Sequence, residues 1–234
     1  MTDPVEAIAF YAVFVFAVTV HEAAHATAAL LGGDPTAYHG GQVSLDPIPH
    51  MKREPFGMVV LPILTVATMG WPMGYASAPY DPAWAMRHPR RAAWMALAGP
   101  GSNLLLAVLA GVVMRLGTAG GVFEAPMQVG FTRVTTALGA ADGLAAGAAM
   151  LLSLFFSMNL LLFVLNMVPL PPLDGSGALP LLMPESWALR YRELAGQPML
   201  ALIGLIFVWN VIPEIFYPLF FLAIGLLYPG VQYG

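Results

Sequence analysis

The strongest constraint in this sequence is a set of long apolar runs. A helix needs about 20 mostly apolar residues to cross the hydrocarbon core of a bilayer. Residues 5–31, 92–114, 144–168 and 199 to about 211 are read as such spans. A further run, 215–228, follows Pro213 and reads either as one more short span or as the far half of a kinked hairpin. Residues 56–73 are apolar as well, but Pro62, Gly70 and Pro72 break the run and predict a re-entrant or surface-lying segment. With 59% hydrophobic and 9% charged residues, the chain is far from the usage of a soluble domain. The expected fold class is an all-α polytopic membrane protein with about five to six transmembrane segments. A short β-strand is expected within it, because Gly40-Gly41-Gln42-Val43-Ser44-Leu45 followed by Asp46-Pro47 reads as a strand closed by a turn.

The basic residues indicate sidedness, since Lys and Arg accumulate in cytoplasmic loops. Lys52 and Arg53 follow the first span, Arg87, Arg90 and Arg91 precede the second, and Arg190 and Arg192 precede the fourth. Arg115 and Arg133 lie elsewhere. If the three richer loops are cytoplasmic, the N-terminus is outside and residues 56–73 enter and leave by one face. The localisation expected on this basis is a prokaryotic plasma membrane. The first apolar run is too long and too poor in basic residues for a cleaved signal peptide, so it is expected in the mature chain. No internal repeat or linker divides the sequence, and residues 1–234 are expected to form a single domain. Its core is expected at about 5–182, with C-terminal helices at about 198–228.

The first span carries an unusual burden: Val20-His21-Glu22-Ala23-Ala24-His25-Ala26 lies inside it. Ionisable residues at mid-membrane cost roughly 2.5–3.5 kcal/mol each on insertion scales, so three together need partners or a cavity. His21 and His25 are four apart and share one helix face, from which both imidazoles can reach one ion. Glu22 lies on the adjoining edge. This is the H-E-x-x-H arrangement, in which two histidines bind zinc and the glutamate takes a proton from water. The competing reading is a hydrogen-bonded polar cluster that holds helices together.

A catalytic zinc takes a third protein ligand and leaves a position open. Candidates are His39, Asp46, His50, His88 and Asp174. The three in the loop after the first span are disfavoured, because His25 lies about 10 Å back inside its helix. Asp174 follows Pro169, Pro171 and Pro172, which end the third span and keep the backbone extended, and Gly175 permits a turn after the acid. On the sidedness argument, the histidine pair and Asp174 both lie towards cytoplasmic helix ends. The absence of cysteine excludes thiolate ligands, disulfides and a cysteine nucleophile, and no basic tract suggests nucleic acid.

Taken together, His21-Glu22-Ala23-Ala24-His25 and Asn166-Met167-Val168-Pro169-Leu170-Pro171-Pro172-Leu173-Asp174-Gly175 resemble the site-2 protease family of intramembrane zinc metalloproteases. Ala98-Gly99-Pro100-Gly101-Ser102-Asn103 resembles that family's Gly-Pro-x-x-Asn element, and the loop with Leu45-Asp46-Pro47 and His50 resembles its compact prokaryotic branch. The resemblance implies one Zn2+ per chain held by His21, His25 and Asp174, with Glu22 activating water. It also implies that Asn166 helps to hold the substrate or the developing oxyanion. Gln42, Val43 and Ser44, as a strand to which an unwound substrate could add, and Asn103 and Asn159 are further candidates for substrate contact. Pro100 reads as a kink, with close helix contact through Gly99 and Gly101. Where relatives often carry a basic residue after Leu-Asp-Gly, this chain has Ser176, and no PDZ-like domain is inserted. The implied substrate is a transmembrane protein cut within or near its span, with a regulatory membrane partner. The rival classes are a metal or proton transporter and a proteolytically inactive scaffold, which substitution of Glu22 separates.

Overall fold

The computed structural model describes residues 3–139, 143–231 and 233, apart from the side chain of Glu185. In chain order the helices are α1 (Pro4–Leu31), α2 (Thr36–His39), α3 (Pro47–Arg53), α4 (Leu61–Met69), α5 (Pro82–Arg87), α6 (Pro89–Ala119), α7 (Leu144–Asn166), α8 (Asp174–Ala178), α9 (Glu185–Ala195) and α10 (Pro198–Leu227). Strands β1 (Phe123–Glu124) and β2 (Thr136–Ala137) form a small antiparallel sheet, with Phe123 opposite Ala137.

Local chemistry sets the long helices. Asp3 caps α1 by accepting from the Val5 N–H at 3.1 Å, and Pro4 occupies a first-turn position where no N–H is required. Pro89 starts α6 in the same way, and Gly120 ends it. Helix α7 stops at Asn166, just before the proline-rich segment. Among the described residues four helices, α1, α6, α7 and α10, are long and apolar enough to cross a membrane.

Two expectations are corrected here. Residues 199–228 are not split at Pro213, because α10 runs unbroken with Pro213 and Pro218 inside it. Each proline removes one N–H donor, a loss a long packed helix tolerates. Phe216, Phe220 and Ile224 anchor the half beyond Pro213 against Met114 and Phe156. The count of five to six segments therefore becomes four long helices and one shorter apolar one. The strand expected at residues 40–45 is absent as well. The Gln42 N–H bonds to the Ala37 carbonyl at 3.0 Å, the Asp46 N–H bonds to the Ser44 hydroxyl at 3.0 Å, and Asp46 caps α3 through the Ile48 N–H at 2.9 Å. These local bonds close turns, and among the described residues no partner strand competes with them.

Residues 56–73 fold as a hairpin. A π-helix, Phe56–Val60, runs into α4 and ends at Gly70, whose φ of 83° is the left-handed conformation that glycine adopts without strain. The chain then returns extended. The Met73 N–H bonds to the Thr65 hydroxyl at 2.8 Å, and the Tyr75 N–H reaches the Gly57 carbonyl at 3.1 Å. Entry and exit thus lie together.

Helix α6 is the centre of the bundle and packs along both α1 and α7, while α10 stands outside against α7. Its inward face is Asn103, Ala107, Ala110 and Met114, all buried, and its outward face is Leu105, Val108, Val112 and Leu116, all exposed. A helix apolar on both faces belongs in lipid. The end of α1 and the start of α6 are tied together: the Gly32 carbonyl accepts from Trp84 Nε1 at 3.0 Å and from Arg91 at 3.1 Å. At the opposite end of α6, Arg115 donates to the Leu227 carbonyl at 2.7 Å and closes the last turn of α10.

Candidate metal centre

Helices α1 and α6 meet along two faces of period four. On α1 the positions are Ala17, His21 and His25, and on α6 they are Met95, Gly99 and Asn103. The His25 Nδ1–H donates to the Met95 carbonyl at 2.7 Å, and the His21 Nδ1–H donates to the Asn103 side-chain oxygen at 2.6 Å. Between these contacts Gly99 lies flat against both imidazoles, and a methyl group there would fall onto both Nε2 atoms. The close contact expected of this motif is therefore real at Gly99. Gly101 differs, because it faces open space.

Asp174 arrives from the far side. After α7 the backbone turns through Leu170 and Leu173, whose N–H groups bond to the carbonyls of Val168 and Leu170 at 2.8 and 2.9 Å. Gly175 then presses against the carbonyls of Met167 and Val168, so close that a side chain would overlap them. Its φ is not positive, so the glycine serves close approach rather than a left-handed turn. The fold-back brings Asp174 Oδ2 to 3.0 Å from His21 Nε2 and 3.2 Å from His25 Nε2, and the two Nε2 atoms are 3.0 Å apart.

The protons decide what such a cluster holds. Met95 and Asn103 present acceptors, so each imidazole carries its hydrogen on Nδ1 and turns a lone pair inward on Nε2. Two lone pairs and a carboxylate oxygen then converge with no hydrogen among them, an arrangement that calls for a cation. Tetrahedral zinc with bonds of about 2.0–2.1 Å has ligand–ligand edges of about 3.3 Å. The observed 3.0–3.2 Å triangle needs only a slight opening to accept it. Next to it, Glu22 is buried and its Oε2 has no hydrogen-bond partner. The imidazoles are enclosed, whereas the Asp174 side chain is 22% exposed, so the cluster opens at α8.

The other third-ligand candidates are engaged or remote. His50 Nε2 lies 3.0 Å from the Ser44 carbonyl, Asp46 caps α3, the His88 ring lies tilted near Trp84, and His39 packs edge-on against Tyr38. Among the described residues, His21, His25 and Asp174 are the group of three able to hold a metal. Asn166 donates one N–H to the Leu162 carbonyl at 3.0 Å, and its second remains available. The substrate contacts expected at Asn103 and Asn159 are corrected: both are fully buried and bonded to each other at 2.9 Å behind His21. Gln42 is buried too, with its amide nitrogen 3.4 Å from the Ser77 carbonyl, while Val43 and Ser44 are half-buried in a bend. Sequence reasoning missed Met95 and the proximity of Gly99 to the His21 and His25 imidazoles. The four-residue spacing of Met95, Gly99 and Asn103 was the available signal.

The family model described as Peptidase family M50 matches residues 9–211 of this chain. The chain belongs to peptidase family M50. This is the site-2 protease family, and it is zinc-dependent. A protein of Bacillus subtilis named "Putative zinc metalloprotease YwhC" is 34% identical over 158 residues, covering 67% of this chain and 61% of that protein. A protein of Mycobacterium tuberculosis named "Putative zinc metalloprotease Rip2" is 32% identical over 212 residues, covering 87% of this chain and 70% of that protein. The chain thus spans about three fifths to seven tenths of the length of these relatives. No solved structure gives a significant match.

Proposed function

We propose that this chain is a zinc endopeptidase that cleaves a peptide bond within or near the transmembrane segment of another protein. The observation that carries the reading is the convergence of two proton-free Nε2 atoms and a carboxylate beside the unpartnered carboxylate oxygen of Glu22. His21, His25 and Asp174 would hold the zinc, in a cluster that opens at α8. When bound, zinc polarises the scissile carbonyl and acidifies water.

The protein's own residues account for the remaining steps. Glu22 Oε2, with no hydrogen bond to give up, takes a proton from the attacking water and delivers it to the departing amine. The free N–H of Asn166 donates to the oxygen on which charge develops. Met95 and Asn103 hold the two imidazoles as neutral Nδ1–H tautomers throughout. A substrate helix keeps its carbonyls in i to i−4 bonds, so it must unwind before attack.

The membrane orientation follows from charge. Seven of the nine basic residues, Lys52, Arg53, Arg87, Arg90, Arg91, Arg190 and Arg192, lie in the segments joining α1 to α6 and α7 to α10 or in the first turn of α6, the end at which the cluster opens. By the positive-inside rule this end is cytoplasmic and the N-terminus external, in a prokaryotic plasma membrane. The substrate is accordingly a membrane protein, and a membrane partner controls its access.

The test is Glu22→Gln in the purified full chain with a model transmembrane substrate. Zinc content should match the wild type while cleavage falls by at least 100-fold, the lower range for loss of a general base. Retained cleavage overturns the assignment, and a metal transporter would show metal flux instead.

A further inference from the structure

We propose that Asn159, which touches no metal-binding side chain, sets the metal affinity of the site by fixing the direction of the Asn103 amide and, through it, the tautomer of His21. The inference rests on the ligand set proposed above.

The chain of contacts has only one consistent polarity. Asn159 Nδ2 lies 2.8 Å from the Phe155 carbonyl, an obligate acceptor, so the nitrogen end of the Asn159 amide must point there. Its oxygen therefore faces Asn103, 2.9 Å from Nδ2. A second obligate acceptor, the Ala17 carbonyl, lies 3.4 Å from the same Asn103 nitrogen. The Asn103 oxygen is then left to accept from the His21 Nδ1–H at 2.6 Å, and the His21 lone pair is on Nε2, facing Asp174 and His25.

If Asn103 turned over, its oxygen would face two acceptors and its NH2 would face His21. The imidazole would then shift its proton to Nε2, and the metal would lose a ligand. Asn103 and Asn159 are completely buried, so no water can take over either role. Asn159 thus acts as a positioning residue on α7 for a ligand on α1, with α6 between them. Partners of this kind typically change metal affinity by about 10–100-fold.

The experiment measures zinc affinity of the full chain in detergent by chelator competition, with gel filtration to confirm folding. Asn103→Leu should bind zinc about 10–100-fold more weakly, and Asn159→Leu about 10-fold more weakly. Asn103→Asp should itself bind zinc more weakly, because its second carboxylate oxygen faces the Asn159 oxygen and the Ala17 carbonyl, but a carboxylate accepts from the Nδ1–H of His21 in either orientation. The decisive variant combines Asn103→Asp with Asn159→Leu. With no amide left to misdirect, loss of Asn159 should not weaken zinc binding there. Equal weakening in both backgrounds would show that Asn159 is only a packing residue and overturn the relay, as would wild-type affinity in Asn159→Leu alone. Asp174→Ala is the separate control: wild-type affinity in that variant overturns the ligand set itself, whatever the asparagines do.

Discussion

Replacing Gly99 by alanine tests the architecture of the site most directly. The new methyl carbon would lie 2.5 Å from His21 Nε2 and 2.6 Å from His25 Cε1, and against His25 Nε2 as well. Ordinary van der Waals contact begins near 3.4 Å, so either the rings or α6 must move by about 1 Å. Neither can do so freely. Each ring is held from the same face of α6, by Met95 on one side of Gly99 and by Asn103 on the other, so moving the helix stretches both hydrogen bonds. Zinc ligand distances tolerate about 0.2 Å. Disturbing the groups that orient metal ligands costs about 10–100-fold in metal affinity, or about 1.4–2.7 kcal/mol. Gly99→Ala should therefore lower zinc affinity by about 10–100-fold in chelator competition. Gly101→Ala is the internal control from the same motif. Its methyl meets nothing within 4 Å, and alanine stabilises a helix interior over glycine by about 0.5–1 kcal/mol. It should bind zinc as the wild type does and unfold at the same or a higher temperature. Zinc binding by Gly99→Ala within about threefold of wild type would refute both the ligand geometry and the role of this glycine.

Two further substitutions probe what supports the site. Burial by itself raises the pKa of Asp34, but hydrogen bonds from the Thr36 hydroxyl and from the backbone N–H groups of Asp81 and Thr36 outweigh it and hold this carboxyl below its usual range. A depressed folded pKa stabilises the protein above the ordinary carboxylate pKa and loses that contribution as pH falls through the folded value. Asp34→Asn should thus cost about 2 kcal/mol near neutral pH, and the difference from wild type should shrink below about pH 4 in thermal unfolding scans. Gly204→Ala places a methyl group on the Pro171 carbonyl, three residues before Asp174. Overpacking of this kind costs about 1–3 kcal/mol, and the variant should melt earlier and cleave more slowly, with α10 more accessible to protease.

The lead experiment also shows where sequence reasoning reaches its limit. Apolar length and the four-residue interval between His21 and His25 are local properties of a helix, with a rise and a rotation per residue that do not depend on the rest of the chain. The membrane class, the paired imidazoles and the adjacent Glu22 were therefore legible from residues 5–31 alone. The concentration of basic residues in a few loops was legible for a similar reason, since a charge pattern needs no contact map. A strand, by contrast, exists only if a second strand pairs with it, and residues 40–45 found turn-closing side chains instead. Pro213 looked like a break because proline removes a hydrogen bond, yet the aromatic contacts beyond it keep α10 continuous. The choice of Asp174 over four other candidate ligands, 149 residues from His25, needed the fold-back at Gly175. The tautomers of both histidines, the closeness of Gly99 and the burial of Asn103 and Asn159 depend on which faces α1, α6 and α7 turn to one another. Sequence determined which groups were available for a metal, and tertiary packing decided which of them meet, because a donor atom must be placed to a few tenths of an ångström and spacing along a chain cannot specify that across helices.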